Sequence, residues 1–96
     1  ADPATVGAFV RTWLGPLIDY DDQRGADLVQ TLAKYLDSGG NYDTTAAALA
    51  LGRSTVRYRL GRIRQISGRD LSDPDTRFQL QLATRAWVSL QALSLG

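Results

Sequence analysis

Apolar residues recur along this chain at three- and four-residue steps, the spacing that lines up side chains on one face of a helix. Val6, Phe9, Val10, Trp13 and Leu14 form the first run, opened by Asp2-Pro3 as N-cap and N1 proline and stopped by Gly15-Pro16. Asp21 and Asp22 put carboxylates where the dipole of a second helix favours them. Leu28, Leu32, Tyr35 and Leu36 make the stripe of that helix, and Gly39-Gly40 supplies a left-handed exit. Asn41 caps a short third helix over Tyr42 to Ala50, whose Ala46, Ala47, Ala48 and Ala50 carry almost no bulk. Leu51-Gly52-Arg53 interrupts it, and Ser54 caps a fourth helix carrying Val56, Leu60, Ile63 and Ile66 to a stop near Ser67-Gly68. Asp73-Pro74 opens a fifth that runs to about Leu93. No stretch alternates as a half-buried strand would, so the pattern predicts an all-α fold of about five helices.

The third and fourth helices carry the functional signal. A helix-turn-helix crosses two helices steeply over a short turn, so the first needs small residues where the second packs closely. Ala46 and Ala47 meet that need. At about 100° per residue Val56, Leu60 and Ile63 share one narrow stripe, while Tyr58 and Gln65 centre the opposite face. Ser54, Arg57, Gly61 and Arg62 flank that outer face, and Arg59 and Arg64 lie nearer the core stripe, where long stems snorkel outward.

Composition changes the picture only when resolved along the chain. The 96 residues include no Cys, His or Met and make a single domain, residues 1–96. The formal charge of +1 hides two unlike parts: residues 44–69 hold six Arg and no acid, and the remainder holds five bases against ten Asp. Solvated helices interleave acids with bases for support along the helix, and this segment has none. Six like charges repel one another, a cost that a polyanion offsets. Arginine reads guanine through paired hydrogen bonds in the major groove, and hydroxyls and further guanidinium groups set register on phosphates. Ser54 and Thr55 stand beside unbonded helix-start amides that suit a phosphate oxygen. Duplex DNA is favoured over RNA because a helix enters the DNA major groove and Tyr58 is the only aromatic on that face.

The segment Leu51-Gly52-Arg53-Ser54-Thr55-Val56-Arg57-Tyr58-Arg59-Leu60 resembles the recognition segment of the C-terminal helix-turn-helix domain of the PucR/CdaR family of bacterial transcriptional regulators. Leu14-Gly15-Pro16-Leu17-Ile18-Asp19-Tyr20-Asp21, Leu36-Asp37-Ser38-Gly39-Gly40-Asn41 and Gly68-Arg69-Asp70-Leu71-Ser72-Asp73-Pro74 resemble further blocks of that family, in order. The resemblance implies a Fis-like helix-turn-helix, with helices near 42–50 and 54–67, that binds DNA as a dimer. It places Arg53, Thr55 and Arg57 where such a domain touches phosphates and bases, and Asn41 where a phosphate is in reach. The turn position usually filled by glycine is Ala50, with the glycine displaced to Gly52, and Tyr58 stands where a basic residue is usual. The candidate DNA-binding residues are therefore Asn41, Arg53, Ser54, Thr55, Arg57, Tyr58, Arg59 and Arg62.

The fifth helix is apolar on two sides, with Phe78, Leu82, Ala86, Leu90 and Leu93 in one sector and Leu80 and Trp87 near the other. Trp13, Phe9, Phe78 and Trp87 read as core or interface residues. One face of the helix serves the domain's own core. The other is expected to meet a second copy, giving a homodimer, or an upstream sensor domain, with Val6, Phe9 and Val10 contributing. The absence of Met marks the chain as a piece, read as the C-terminal part of a longer regulator. No secretory signal and no bilayer-spanning run is visible, so a cytoplasmic protein is expected. A rival reading is a helical interaction module whose arginine face docks an acidic partner. An enzyme is disfavoured. Asp43, Asp70, Asp73 and Asp75 flank the basic region without His, Cys or Glu, and no cofactor or metal is expected.

Overall fold

The first helix does not stop where its glycine and proline suggest. In a computed structural model, which describes residues 2–95, α1 runs Pro3–Arg24 straight through Gly15-Pro16. The buried stripe explains why: Val10, Leu14 and Leu17 are spaced across the proline at helical intervals, and all three join the core. A proline inside a helix deprives the carbonyl four residues earlier of its donor. That carbonyl belongs to Thr12, and the Arg69 guanidinium approaches it at 3.4 Å from the far end of the fold. The same guanidinium lies 3.9 Å from the centroid of the Trp13 ring, which fixes it there.

Gly25 then turns the chain in the left-handed region (φ 61°) into α2, Leu28–Asp37. Asp21 and Asp22 thus lie in the last turns of α1 rather than at the start of α2. Asp21 still serves α2: its carboxylate accepts hydrogen bonds from the Leu28 and Val29 amides at 2.9 and 3.0 Å. Asp27, next to that helix start, makes no side-chain cap. The capping carboxylate has arrived across the turn, where it satisfies two orphan donors at once.

α2 packs against each of the other four helices and is the centre of the fold. Leu28, Val29, Leu32, Tyr35 and Leu36 are buried along it, and the chain leaves at Gly39-Gly40 with positive φ at both, as expected. α3 (Tyr42–Leu49) begins at Asn41, whose side-chain oxygen accepts from the Thr44 amide at 2.8 Å. It ends one residue earlier than expected, at Leu49. α4 (Arg53–Ser67) crosses it, and α5 (Pro74–Leu95) closes the bundle along α1 and α2. Asp73 opens α5 by accepting from the Thr76 amide at 2.9 Å.

The all-α architecture of five helices is thus the one the periodicity predicts, with no strand among the described residues. Three threonines enter the interior, and each is hydrogen-bonded: Thr31 to Asp27, Thr45 to Asn41 and Thr84 to Gln81. The two-sidedness of α5 holds in part: Ala86 and Leu90, expected on the outer sector, pack against the core. Leu80 and Ala83 are fully buried, whereas Phe78 (62% exposed) and Leu93 (75% exposed) stand outside with Leu82. Phe78 therefore belongs to the surface of this chain and not to its core.

Candidate nucleic-acid interface

α4 is held by three fully buried side chains, with Ile66 packed beside them, and turns its opposite face outward. Val56, Leu60 and Ile63 are fully buried, each contributing roughly 1.5–3 kcal/mol of hydrophobic stabilisation. Ala46 of α3 is buried in the same cluster, the small residue that a close crossing needs. Ser54 does not cap this helix. The extended backbone of Gly52 occupies the cap, its carbonyl accepts the Val56 amide at 3.2 Å, and the helix begins at Arg53. Ser54 sits instead in the first turn. The amides of Arg53, Ser54 and Thr55 precede the first intrahelical bond, so they have no partner within the helix.

The turn before α4 keeps the geometry that a glycine would give. Ala50 takes φ 55° and ψ 43°, the left-handed region, with its amide bonded to Ala47 and the Leu51 amide returning to Ala46. Gly52 has an ordinary negative φ. The displaced glycine therefore does not replace the usual one; an alanine accepts the strain.

Seen from outside, α4 presents a ridge with two flanks. Ser54, Tyr58 and Gln65 form the ridge, with Tyr58 68% exposed. A side chain built onto Gly61 would meet open space, so the glycine lowers this surface. On one flank, the Arg53 and Arg57 guanidinium groups each lie 5.8 Å from the centre of the Tyr42 ring, and Arg53 is 3.6 Å from the Asp43 carboxylate. Asn41, which immediately precedes that tyrosine, spends its oxygen on the α3 cap and keeps its NH2 group to donate. On the other flank are Thr55, Arg59 and Arg62. Arg59 is half-buried, as its place near the core stripe suggests, and donates to the Thr31 hydroxyl at 3.1 Å. Arg62 donates to Gln65 at 2.8 Å and reaches the Tyr20 hydroxyl at 3.4 Å. That hydrogen bond holds the Arg62 guanidinium above its ordinary, already high, pKa.

All eight sequence-predicted residues thus lie on α4 or at the start of α3, divided between ridge and flanks. Arg64 is exposed beside them, whereas Arg69 is withdrawn onto Trp13 and leaves the basic surface. Sequence reasoning missed the two tyrosines. Tyr42 opens α3 and Tyr20 belongs to α1; nothing in a linear pattern connects Tyr20 with an arginine 42 positions later. Among the described residues no three His, Cys, Asp or Glu converge as metal ligands, and no helix is long and apolar enough to cross a membrane.

Two crossed helices joined by a tight left-handed turn, the second one basic and outward-facing, define a helix-turn-helix domain. Residues 28–86 match the PucR C-terminal helix-turn-helix domain, and the chain belongs to that family. It is 38% identical over 82 residues to the transcriptional activator PmfR of Paenarthrobacter nicotinovorans, covering 85% of this chain and 17% of that protein. It is 38% identical over 63 residues to the purine catabolism regulatory protein of Bacillus subtilis, covering 66% of this chain and 12% of that one. An uncharacterised Thermomonospora curvata protein, encoded in the pkwA 5' region, is 43% identical over 76 residues, 79% of this chain and 42% of that protein. The chain therefore spans less than half the length of these curated relatives. No solved structure matches it.

Proposed function

We propose that this domain binds duplex DNA sequence-specifically as the output domain of a bacterial transcriptional regulator, with α4 in the major groove. One observation carries the reading: an acid-free helix whose arginines rest on tyrosine rings and neutral oxygens, so that they are ordered but mostly not neutralised. The Arg57 side chain reads a base edge, Arg53 sets register on phosphate, and Ser54 and Thr55 offer hydroxyls and amides to a phosphate oxygen. Tyr58 offers the ridge a hydroxyl and a ring face for a thymine methyl. The role is non-enzymatic and needs no cofactor.

A homodimer fits the second apolar face. Phe78, Leu82 and Leu93 are exposed along α5, and Pro3, Val6, Ala86 and Leu90 line an adjoining concavity of about 220 Å³. A two-fold pair would set the recognition helices about 34 Å apart, one turn of duplex, and would call for a palindromic operator. The greater length of the relatives supports an upstream sensor domain, and the regulatory role a cytoplasmic location.

Fluorescence anisotropy with a random-sequence duplex tests the core of this reading. Neutralising about four to six phosphates gives a log–log salt slope of roughly −4 to −5. No measurable binding at about 50 mM salt would sink it, and binding to an acidic protein in its place would favour the interaction-module reading. Selecting bound duplexes from a random pool then yields half-site, spacing and symmetry together.

A further inference from the structure

The flank of α4 that faces α1 contains more than the sequence assigned to it. Tyr20, in the last turns of α1, has two guanidinium groups against its ring: Arg62 of α4 at 5.3 Å and Arg24 of its own helix at 5.5 Å. Neither arginine forms an ion pair among the described residues. Beside Tyr20 and Arg62 a concavity of about 330 Å³ opens between α4 and the α1–α2 corner, lined also by Gly25, Asp27, Thr55 and Arg59. Two cations gathered on one ring without a carboxylate partner repel each other, and an anion placed between them would relieve that repulsion.

A helix in the major groove has a phosphate strand on each side. On the duplex-binding reading, the Tyr42 flank presents Arg53 to one strand, with Arg57 turned toward the bases. We propose that Tyr20, Arg24 and Arg62 form a clamp for the phosphate backbone of the other strand, so that the DNA footprint extends from the helix-turn-helix onto the end of α1. The clamp rests on the duplex-binding reading above. Arg24 is the new element: by sequence it belongs to the acidic supporting part, and only the fold brings it beside α4. Two carboxylates lie close by. Asp21 is held by the Leu28 and Val29 amides, whereas Asp27 lines the concavity and opposes an anion there.

The clamp predicts changes of opposite sign, read by anisotropy of the chain with random-sequence duplex across a salt series. Arg24→Gln should lower affinity about fivefold at 0.15 M salt and make the salt slope shallower by about one, equally for random and selected duplexes. Arg24→Lys should keep the slope, and Asp27→Asn should tighten binding. Thermal midpoints should stay close to that of the unsubstituted chain, separating a phosphate contact from a helix-terminal role for Arg24. The clamp is overturned if Arg24→Gln leaves affinity and slope unchanged while Arg57→Ala weakens binding, or if affinity falls with the slope intact. Should the unsubstituted chain itself bind no duplex, the duplex-binding reading fails, and the clamp with it.

Discussion

Arginines in the two parts of this molecule keep different company. In the supporting helices Arg11 pairs with Asp19 at 3.1 Å and Arg85 with Asp37 at 3.5 Å, Arg77 donates to the Leu71 carbonyl at 3.0 Å beside the Tyr35 ring, and Arg24 lies against Tyr20 without an ion pair. On α4 they meet aromatic faces and neutral oxygens, and among the described residues Arg53, 3.6 Å from Asp43, is the one that forms an ion pair. A carboxylate orders a guanidinium and cancels its charge. A tyrosine ring orders it and leaves the charge available. Arg11 and Arg85 thus spend their charge inside the chain, whereas most of the α4 arginines, and Arg24 with them, keep theirs for something outside it.

The sharpest way to break this contrast is to put a carboxylate where α4 has none. Thr55→Glu adds an acid to the first helical turn, which the helix dipole favours by about 0.3–1 kcal/mol. The same charge meets phosphate and should weaken duplex binding by about 3 kcal/mol or more, a factor on the order of a hundred. A higher melting midpoint together with lost binding is the expected pair of results. If binding survived, α4 would not face the duplex.

Next in size is the difference between arginines of the two parts. Arg57→Ala should cost about 1–3 kcal/mol of duplex binding and relax specificity at one base position, measured on a set of single-base operator variants. Arg53→Ala should weaken all sequences about equally and make the salt slope shallower by about one. Arg85→Ala, taken from the neutralised set, should leave affinity where it was and cost less than about 1 kcal/mol of stability. Uniform loss for both α4 variants would mean that Arg57, like Arg53, positions the helix and does not read a base.

Arg69 sharpens the contrast from the other side. It belongs by sequence to the basic segment but works for the supporting part, stacked on Trp13 and aimed at the Thr12 carbonyl that Pro16 leaves without a donor. Arg69→Ala should lower stability by about 1–2 kcal/mol, seen as a drop in the melting midpoint, with the salt slope of binding unchanged. A shallower slope would return Arg69 to the DNA surface.

These cases also show what a linear reading of the chain can reach. The inward stripe of α4, the Asn41 cap and the Gly39-Gly40 exit were legible because each depends on residues within a turn or two of one another. Pro16 reads as a stop in the sequence because the group that compensates for it, Arg69, lies 57 positions from the Thr12 carbonyl it reaches. Asp21 was assigned to the right helix dipole for the wrong reason: it acts across the Gly25 turn, not along the chain. Ser54 reads as the cap in the sequence because hydroxyl residues favour that position. The extended backbone at Gly52 takes it two residues earlier. The candidate residues on α4 followed from charge and periodicity, and Asn41 from the family resemblance, but their division into two flanks needed Tyr42 and Tyr20, which only the packing of α3 and α1 brings to α4.

The smallest expected effect concerns the turn that joins the binding pair. The supporting part puts glycine at its left-handed positions: Gly25, Gly39, Gly40 and Gly68 all have positive φ. The helix-turn-helix instead asks Ala50 to take φ 55°, and an L side chain there crowds its own carbonyl. Ala50→Gly removes that crowding and gives back part of the gain as chain entropy, so a net stabilisation of about 0.5–1 kcal/mol is expected, with duplex affinity unchanged. Ala50→Val should move the midpoint the other way and by more, since a β-branched residue tolerates this region least. A midpoint that fell with glycine would show that the turn rests in another conformation in solution. The crossing of α3 and α4, and with it the way the ridge of α4 meets a groove, would then need to be redrawn.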